Sequence, residues 1–233
     1  MIVWAGIPSY TCNVVVERFP NQPGPSRRYE AIQVPGRNGD LLIDSGAYNN
    51  YTQNYEVYFN AEQYKTPSGA RAVREWLQKP IGYQRLEDSY DPEYFRMAYY
   101  SGPTEIENVM NLFGRSTISF ICKPQRWRKD GQIPVLYSSP VTLYNELFPA
   151  LPLIKVSGNG AGNLYVGAYT VQISELDEYV LLDSELQDAY KDTLNKNSTI
   201  SAAAFPVLEP GENTISWDGD VTGVEITPRW WTI

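Results

Sequence analysis

Apolar and polar positions alternate with period two along much of this chain, the pattern of strands that bury one face. At 54–59, Tyr55, Val57 and Phe59 point one way and Glu56 and Tyr58 the other. Weaker alternation predicts strands at 12–19 and 29–34, and others at 94–100 and 116–123. In the second half, the same reading gives strands at 153–156, 164–166, 170–173, 179–183 and 199–204. Helical spacing is clear in one place. Ala70, Val73, Trp76 and Leu77 share a face, Arg71, Arg74 and Glu75 lie opposite, Thr66 or Ser68 can cap the start, and Pro80 and Gly82 end it. This predicts an amphipathic helix at about 67–79 laid on a sheet, with Trp76 as a core residue. Residues 183–195 can be read as a helical turn.

The end of the chain is the most informative stretch. Pro210, Gly211, Glu212 and Asn213 form a turn signal, 214–217 reads as a strand, and Asp218-Gly219 reads as a hairpin turn. A second strand follows at 221–226, with Val224 and Ile226 on one face and Glu225 on the other, and Pro228 stops it. Arg229, Trp230 and Trp231 come next. Two tryptophans are costly to leave in water, so this end is expected to be docked rather than frayed. The unit reads as the closing hairpin of a β-sandwich.

Seventeen glycines and 17 prolines in 233 residues punctuate the chain often enough to favour many short strands, so the fold class is mainly β. Prolines 124, 134, 140 and 149 mark 129–149 as a crossover linker between a first domain, 1–128, and a second, 150–233. Charge divides the same way. Residues 1–128 carry 14 Lys+Arg against 13 Asp+Glu, and residues 129–233 carry 5 against 14. The acidic half should repel nucleic acid, and the near-neutral half has no lysine-rich run. Eleven of the first domain's 14 cations are arginine, whose planar fork suits interfaces, as do the chain's 18 tyrosines. No basic leader precedes Pro8, and no apolar run approaches bilayer length, so synthesis in the cytoplasm without membrane insertion is expected. The Asn50-Tyr51-Thr52 and Asn197-Ser198-Thr199 glycosylation matches then carry little meaning.

Candidate chemistry is sparse. The chain has no histidine, which removes the commonest general base and metal ligand. Glu87, Asp88, Asp91 and Glu93 are the best carboxylate cluster for a glycosidase-type reaction, and the plainer reading is solvated loop charges. Gly158, Gly160 and Gly162 precede a strand, not a helix, which disfavours a phosphate site. Cys12 and Cys122 read as small buried thiols, although Lys123 could activate the latter. No catalytic residue, cofactor or metal site is assigned. Arg126, Trp127 and Arg128, with Arg37, Trp230 and Trp231, are the candidate interface residues, since arginine with exposed aromatics typifies protein contacts. The alternative is that these tryptophans close their own domains.

Three blocks resemble one family. Phe205-Pro206, Leu208, Pro210 to Asn213, Ile215, Trp217, Gly219, Ile226 and Pro228-Arg229-Trp230 form the first; Val34, Pro35, Gly36, Arg37, Asn38, Gly39 and Asp40 form the second. The third runs Phe120, Ile121, Cys122, Lys123, Pro124, Gln125, Arg126 and Trp127. Together they are similar to the distal tail proteins of long-tailed, non-contractile bacteriophages. That resemblance implies an N-terminal β-sandwich or barrel-like domain with one helix that closes a homohexameric ring, and a C-terminal galectin-like, jelly-roll type β-sandwich. It implies a strand and hairpin at 183–195. It also implies a virion protein at the tail tip that joins the tail tube protein to a tail-associated lysin or tail fibre protein and to a receptor-binding protein, with DNA crossing the lumen unbound. The alternative function is a carbohydrate-binding module on host cell-wall glycan. The galectin sugar signature depends on a histidine, which this chain lacks.

Overall fold

The structure, a computed structural model, describes every residue except 61–66, 103–106 and 110–112. It divides into two compact units, Met1–Arg126 with Ile233, and Trp127–Thr232. The fold is mainly β, with one α-helix among the described residues.

The first unit contains strands β1 (Ile2–Trp4), β2 (Ile7–Pro8), β3 (Val14–Val16), β4 (Arg27–Ile32), β5 (Leu41–Tyr48) and β6 (Tyr51–Asn60). Helix α1 (Pro67–Gln78) follows, then β7 (Gln84–Asp88), β8 (Tyr94–Tyr100), β9 (Glu107–Val109) and β10 (Phe113–Arg128), which runs past the unit's end. One sheet takes the order β2-β1-β7-β8-β10-β6-β3. Within it β6 and β10 form a long antiparallel pair, in register from Phe113 opposite Asn60 to Cys122 opposite Tyr51. Alternate residues of both strands, Tyr55 and Val57 with Ile118 and Phe120, turn inward as their period requires. Trp4 packs on Phe120 with ring centroids 4.8 Å apart. Helix α1 buries Val73, Trp76 and Leu77 in this core, and Trp76 Nε1 donates to the Ile7 carbonyl at 3.1 Å. The strand expected at 12–19 is shorter. A 3-10 turn covers Ser9–Cys12, and Asn13, at φ 56°, redirects the backbone into β3. Strands β4 and β5 form a two-stranded sheet of their own.

The second unit contains β11 (Val135–Tyr137), β12 (Val141–Asn145), β13 (Leu153–Val166), β14 (Tyr169–Asp183), β15 (Asp188–Lys191), β16 (Leu194–Asn195), β17 (Ile200–Ala202), β18 (Gly211–Thr227) and β19 (Trp231–Thr232). Three of these strands overturn the sequence reading. The sequence reading gives two separate strands within each of 153–166, 169–183 and 211–227, yet each is one continuous strand. Asp218-Gly219 is therefore no hairpin turn. It lies where β13 and β18 slip register, between Gly158 and Gly162. The glycines mark a close backbone approach. A Cβ at Gly158, Gly162 or Gly219 would fall within 3.0 Å of a backbone atom of the facing strand. The irregularities bend the sheet, and the two halves of β13, β14 and β18 enclose one core. Ile154, Val156, Val180, Val224 and Ile226 come from one half, and Leu164, Val166, Val171, Ile173 and Ile215 from the other.

Residues 129–149 also differ from expectation. Strand β11 pairs with β18 (Val135 opposite Ile226), and β12 pairs with the other half of β18 (Val141 opposite Ile215), so this stretch supplies one strand to each half. Pro134 and Pro140 stand immediately before those strands, where a missing N–H costs no ladder bond, so they initiate strands here rather than interrupt them. Residues 183–195 form a turn and the β15–β16 hairpin, not a helical turn.

Candidate functional site

The candidate interface residues divide by environment. In the first unit, Arg126 Nη1 donates to Asp91 Oδ2 at 3.1 Å, at the rim of a buried polar cluster. Asp88, expected as a solvated loop charge, is 5% exposed. Its Oδ2 accepts from the Tyr55 hydroxyl at 2.6 Å and from Arg96 Nη1 at 3.1 Å, and its Oδ1 accepts from the backbone N–H groups of Tyr90 and Asp91. Arg96 Nε donates to the Tyr51 hydroxyl at 3.1 Å. The carboxylates singled out for acid–base work are thus partly consumed by arginines: Asp88 and Asp91 act as a staple for the 88–91 turn. Burial, then the Asp88 charge, pushes the Tyr55 hydroxyl well above its ordinary pKa, so it stays a proton donor. Cys122 lies in the same core, and burial pushes its thiol up to about 12 despite Arg96 nearby. Lys123 does not activate it; its ammonium lies 5.0 Å from the Tyr83 ring centroid.

In the second unit, the structure brings Arg128, Arg229, Trp230 and Trp231 together around one turn. The Arg128 N–H donates to the Trp230 carbonyl at 2.9 Å, and the Arg229 N–H donates to the Gly131 carbonyl at 2.7 Å. Gly131 packs so closely on Trp230 that a Cβ there would clash with its backbone nitrogen. Trp230 is buried, and Trp231 stacks on Phe148 with centroids 4.7 Å apart while its Nε1 donates to the Pro149 carbonyl at 2.9 Å. Arg128 Nε donates to Asp130 Oδ1 at 2.6 Å. Arg229, at φ 58°, aims a guanidinium fork at Asp183 with bonds of 2.7 and 2.9 Å. Burial raises the Asp183 pKa, but the Arg229 fork and the Leu186 and Glu185 N–H groups outweigh it and hold the carboxyl below its usual range. Packing within the unit accounts for Trp230. Trp127 is half-buried, and Arg37 stands at the exposed tip of the β4–β5 hairpin.

Sequence reasoning missed the hairpin's own surface. Tyr29, Ile32, Val34, Leu41, Leu42 and Ile43 are all exposed. The unbroken run Leu41-Leu42-Ile43 was the available signal, because an apolar residue at every position needs cover on both strand faces. The second unit carries an open groove of about 550 Å³ near the sheet bend, of mixed lining that includes Asn163, Gln172, Ile173, Ile200 and Asp218. Asp218 is already engaged there, accepting from Asn163 N–H, Asn163 Nδ2 and the Tyr165 hydroxyl. Among the described residues no three metal-ligating side chains converge, and no helix is long and apolar enough to cross a membrane.

Comparison with known proteins places the fold. No family model and no curated protein matches the sequence. Among solved structures, the chain is similar to the SPP1 Dit (gp 19.1) protein, described as a paradigm of the hub adsorption apparatus in phages infecting Gram-positive bacteria. The TM-score is 0.75 with 10% identity, over 100% of this chain and 98% of that one, so the likeness is of the whole two-unit fold, carried by very little shared sequence.

Proposed function

We propose that this chain is a structural hub of a phage tail. Six copies would close a ring at the distal end of a long, non-contractile tail and join the tail tube protein to a tail-associated lysin or tail fibre protein and to the receptor-binding protein. DNA would cross the lumen without specific binding. The observation that carries this reading is the end-to-end likeness to the SPP1 hub protein, in which both units are matched in one alignment. Two features of the chain support it. The first unit is near neutral and arginine-rich, as a packed subunit contact requires. The second unit is strongly acidic, which suits a body that does not hold DNA. The buried arginine staple and the stapled chain end fit a rigid assembly part, since both spend their charged groups on structure.

Immunogold labelling of virions that carry this protein tests the placement. Gold confined to the distal end of the tail is expected. Gold on the capsid, or along the tail shaft, would refute it.

A further inference from the structure

The β4–β5 hairpin is an unusual object to leave in water. Directly opposed residues share a face, so Tyr29, Ala31 and Leu42 line one side and Ile32, Leu41 and Ile43 the other. Neither side is covered: Leu42 is 60% exposed and Ile43 44%. Among the described residues, every hydrogen bond and ion pair of 26–49 is made inside that segment, including Arg27 with Asp44, Arg28 with Asn49 and Ser45 with the Arg28 carbonyl. A lone two-stranded hairpin is marginal in water, and an apolar one with open edges invites pairing.

We propose that this hairpin is a clasp that seats on the first unit of a second copy of this chain, against the open sheet edge at β3. The proposal rests on the ring reading above. Three observations select that occupant. The hairpin is electrically balanced, with Arg27, Arg28 and Arg37 against Glu30, Asp40 and Asp44, so its surface suits a neutral body; the first domain is nearly neutral, whereas the second is strongly acidic. The first unit has the complementary feature on a different segment: β3 is the end strand of its sheet, with Val15 on it exposed, and Phe19 just beyond it exposed while its ring edge meets Tyr90. Finally, a ribbon that is apolar on both faces needs a site between two bodies. A ring in which each copy donates one hairpin and receives another covers every such face, and the contact joins different surfaces, as ring closure demands.

The test compares the full-length chain with L42D/I43D, which places one carboxylate on each face at positions already open to solvent. Light scattering on a sizing column, with circular dichroism and thermal unfolding, is the readout. The wild type is expected to run as the assembly, and the variant at single-chain mass with an unchanged spectrum and a cooperative unfolding transition, its midpoint lowered only by the loss of assembly. If the variant fails to fold, Val15→Asp on the receiving edge is used instead, with the same loss expected. A variant that assembles as the wild type does overturns the clasp and leaves the ring reading standing. An assembly of another copy number that the variant abolishes supports the clasp and refutes the six-fold ring. Single-chain mass for the wild type at every concentration overturns both.

Discussion

Arg229 and Asp183, 46 residues apart, meet in a two-bond fork of 2.7 and 2.9 Å, and this pair fastens the last residues of the chain to the end of β14. Asp183 also accepts the Glu185 and Leu186 N–H groups that start the following turn, so one carboxylate organises the hairpin and the chain end together. Arg229→Ala leaves that nearly buried carboxylate without its cation. The expected loss, about 3 kcal/mol, is the cost of an uncompensated buried charge. Arg229→Lys should recover only part of it, because a point charge cannot make both bonds. Denaturant midpoints of the two variants check this.

The same pair sets an acid-side dependence. The folded Asp183 pKa lies below its unfolded value, so its contribution is complete above the unfolded pKa of about 3.9 and fades as pH falls through the lower folded value. Thermal midpoints measured downward from neutral pH should fall less steeply below about pH 4 in Arg229→Ala than in the wild type. Parallel curves would show that Asp183 is not the group responsible.

In the first unit, Arg96 holds Asp88 from within the core. Arg96→Met should cost about 3–5 kcal/mol, because Asp88 stays buried and loses its countercharge. Tyr55→Phe removes one neutral donor to the same oxygen and should cost about 1–2 kcal/mol. Urea titrations rank the two, and a reversed order would mean that the tyrosine hydroxyl, not the guanidinium, holds the turn.

Glycines in the two units should fail for different reasons. Gly158→Ala drives a Cβ into the Asp220 backbone and should destabilise the second unit by more than about 2 kcal/mol, an overpacking cost with no flexible side chain to yield. Gly36 has open space but a φ of 79°, so Gly36→Ala should cost only about 1 kcal/mol, from backbone strain. Thermal unfolding of both variants tests the contrast.

Cys122 should be inert in the folded protein. Its pKa of about 12 and its burial leave almost no thiolate near neutral pH. A thiol reagent at pH 8 should label Cys12 alone until denaturant is added. Prompt labelling of two thiols would show that the β6–β10 core opens readily.

The alternation around Tyr55 and the apolar face of α1 were legible because each depends on neighbours close in sequence. The long strands of the second unit were not. Gly158, Gly162 and Gly219 carry the composition of turns, but they are selected by the strand lying across from them, which no local window contains. Asp88 was hidden for a related reason: Arg96 is near in sequence, but Tyr55 reaches Asp88, and Tyr51 reaches Arg96, only through the packed sheet. Of the candidate interface residues, Trp230 was legible as one that needs cover, whereas the identity of its cover, Gly131, depends on the fold. Arg37 stands at the exposed hairpin tip, and the exposure of the apolar ribbon behind it is a tertiary fact.

The most direct test of the hub account is the absolute molar mass of the full-length chain by light scattering on a sizing column over a wide concentration range, with negative-stain images of the peak. The account predicts a species of six chains seen as a ring with a central opening. A species that keeps the mass of a single chain at every concentration would contradict it.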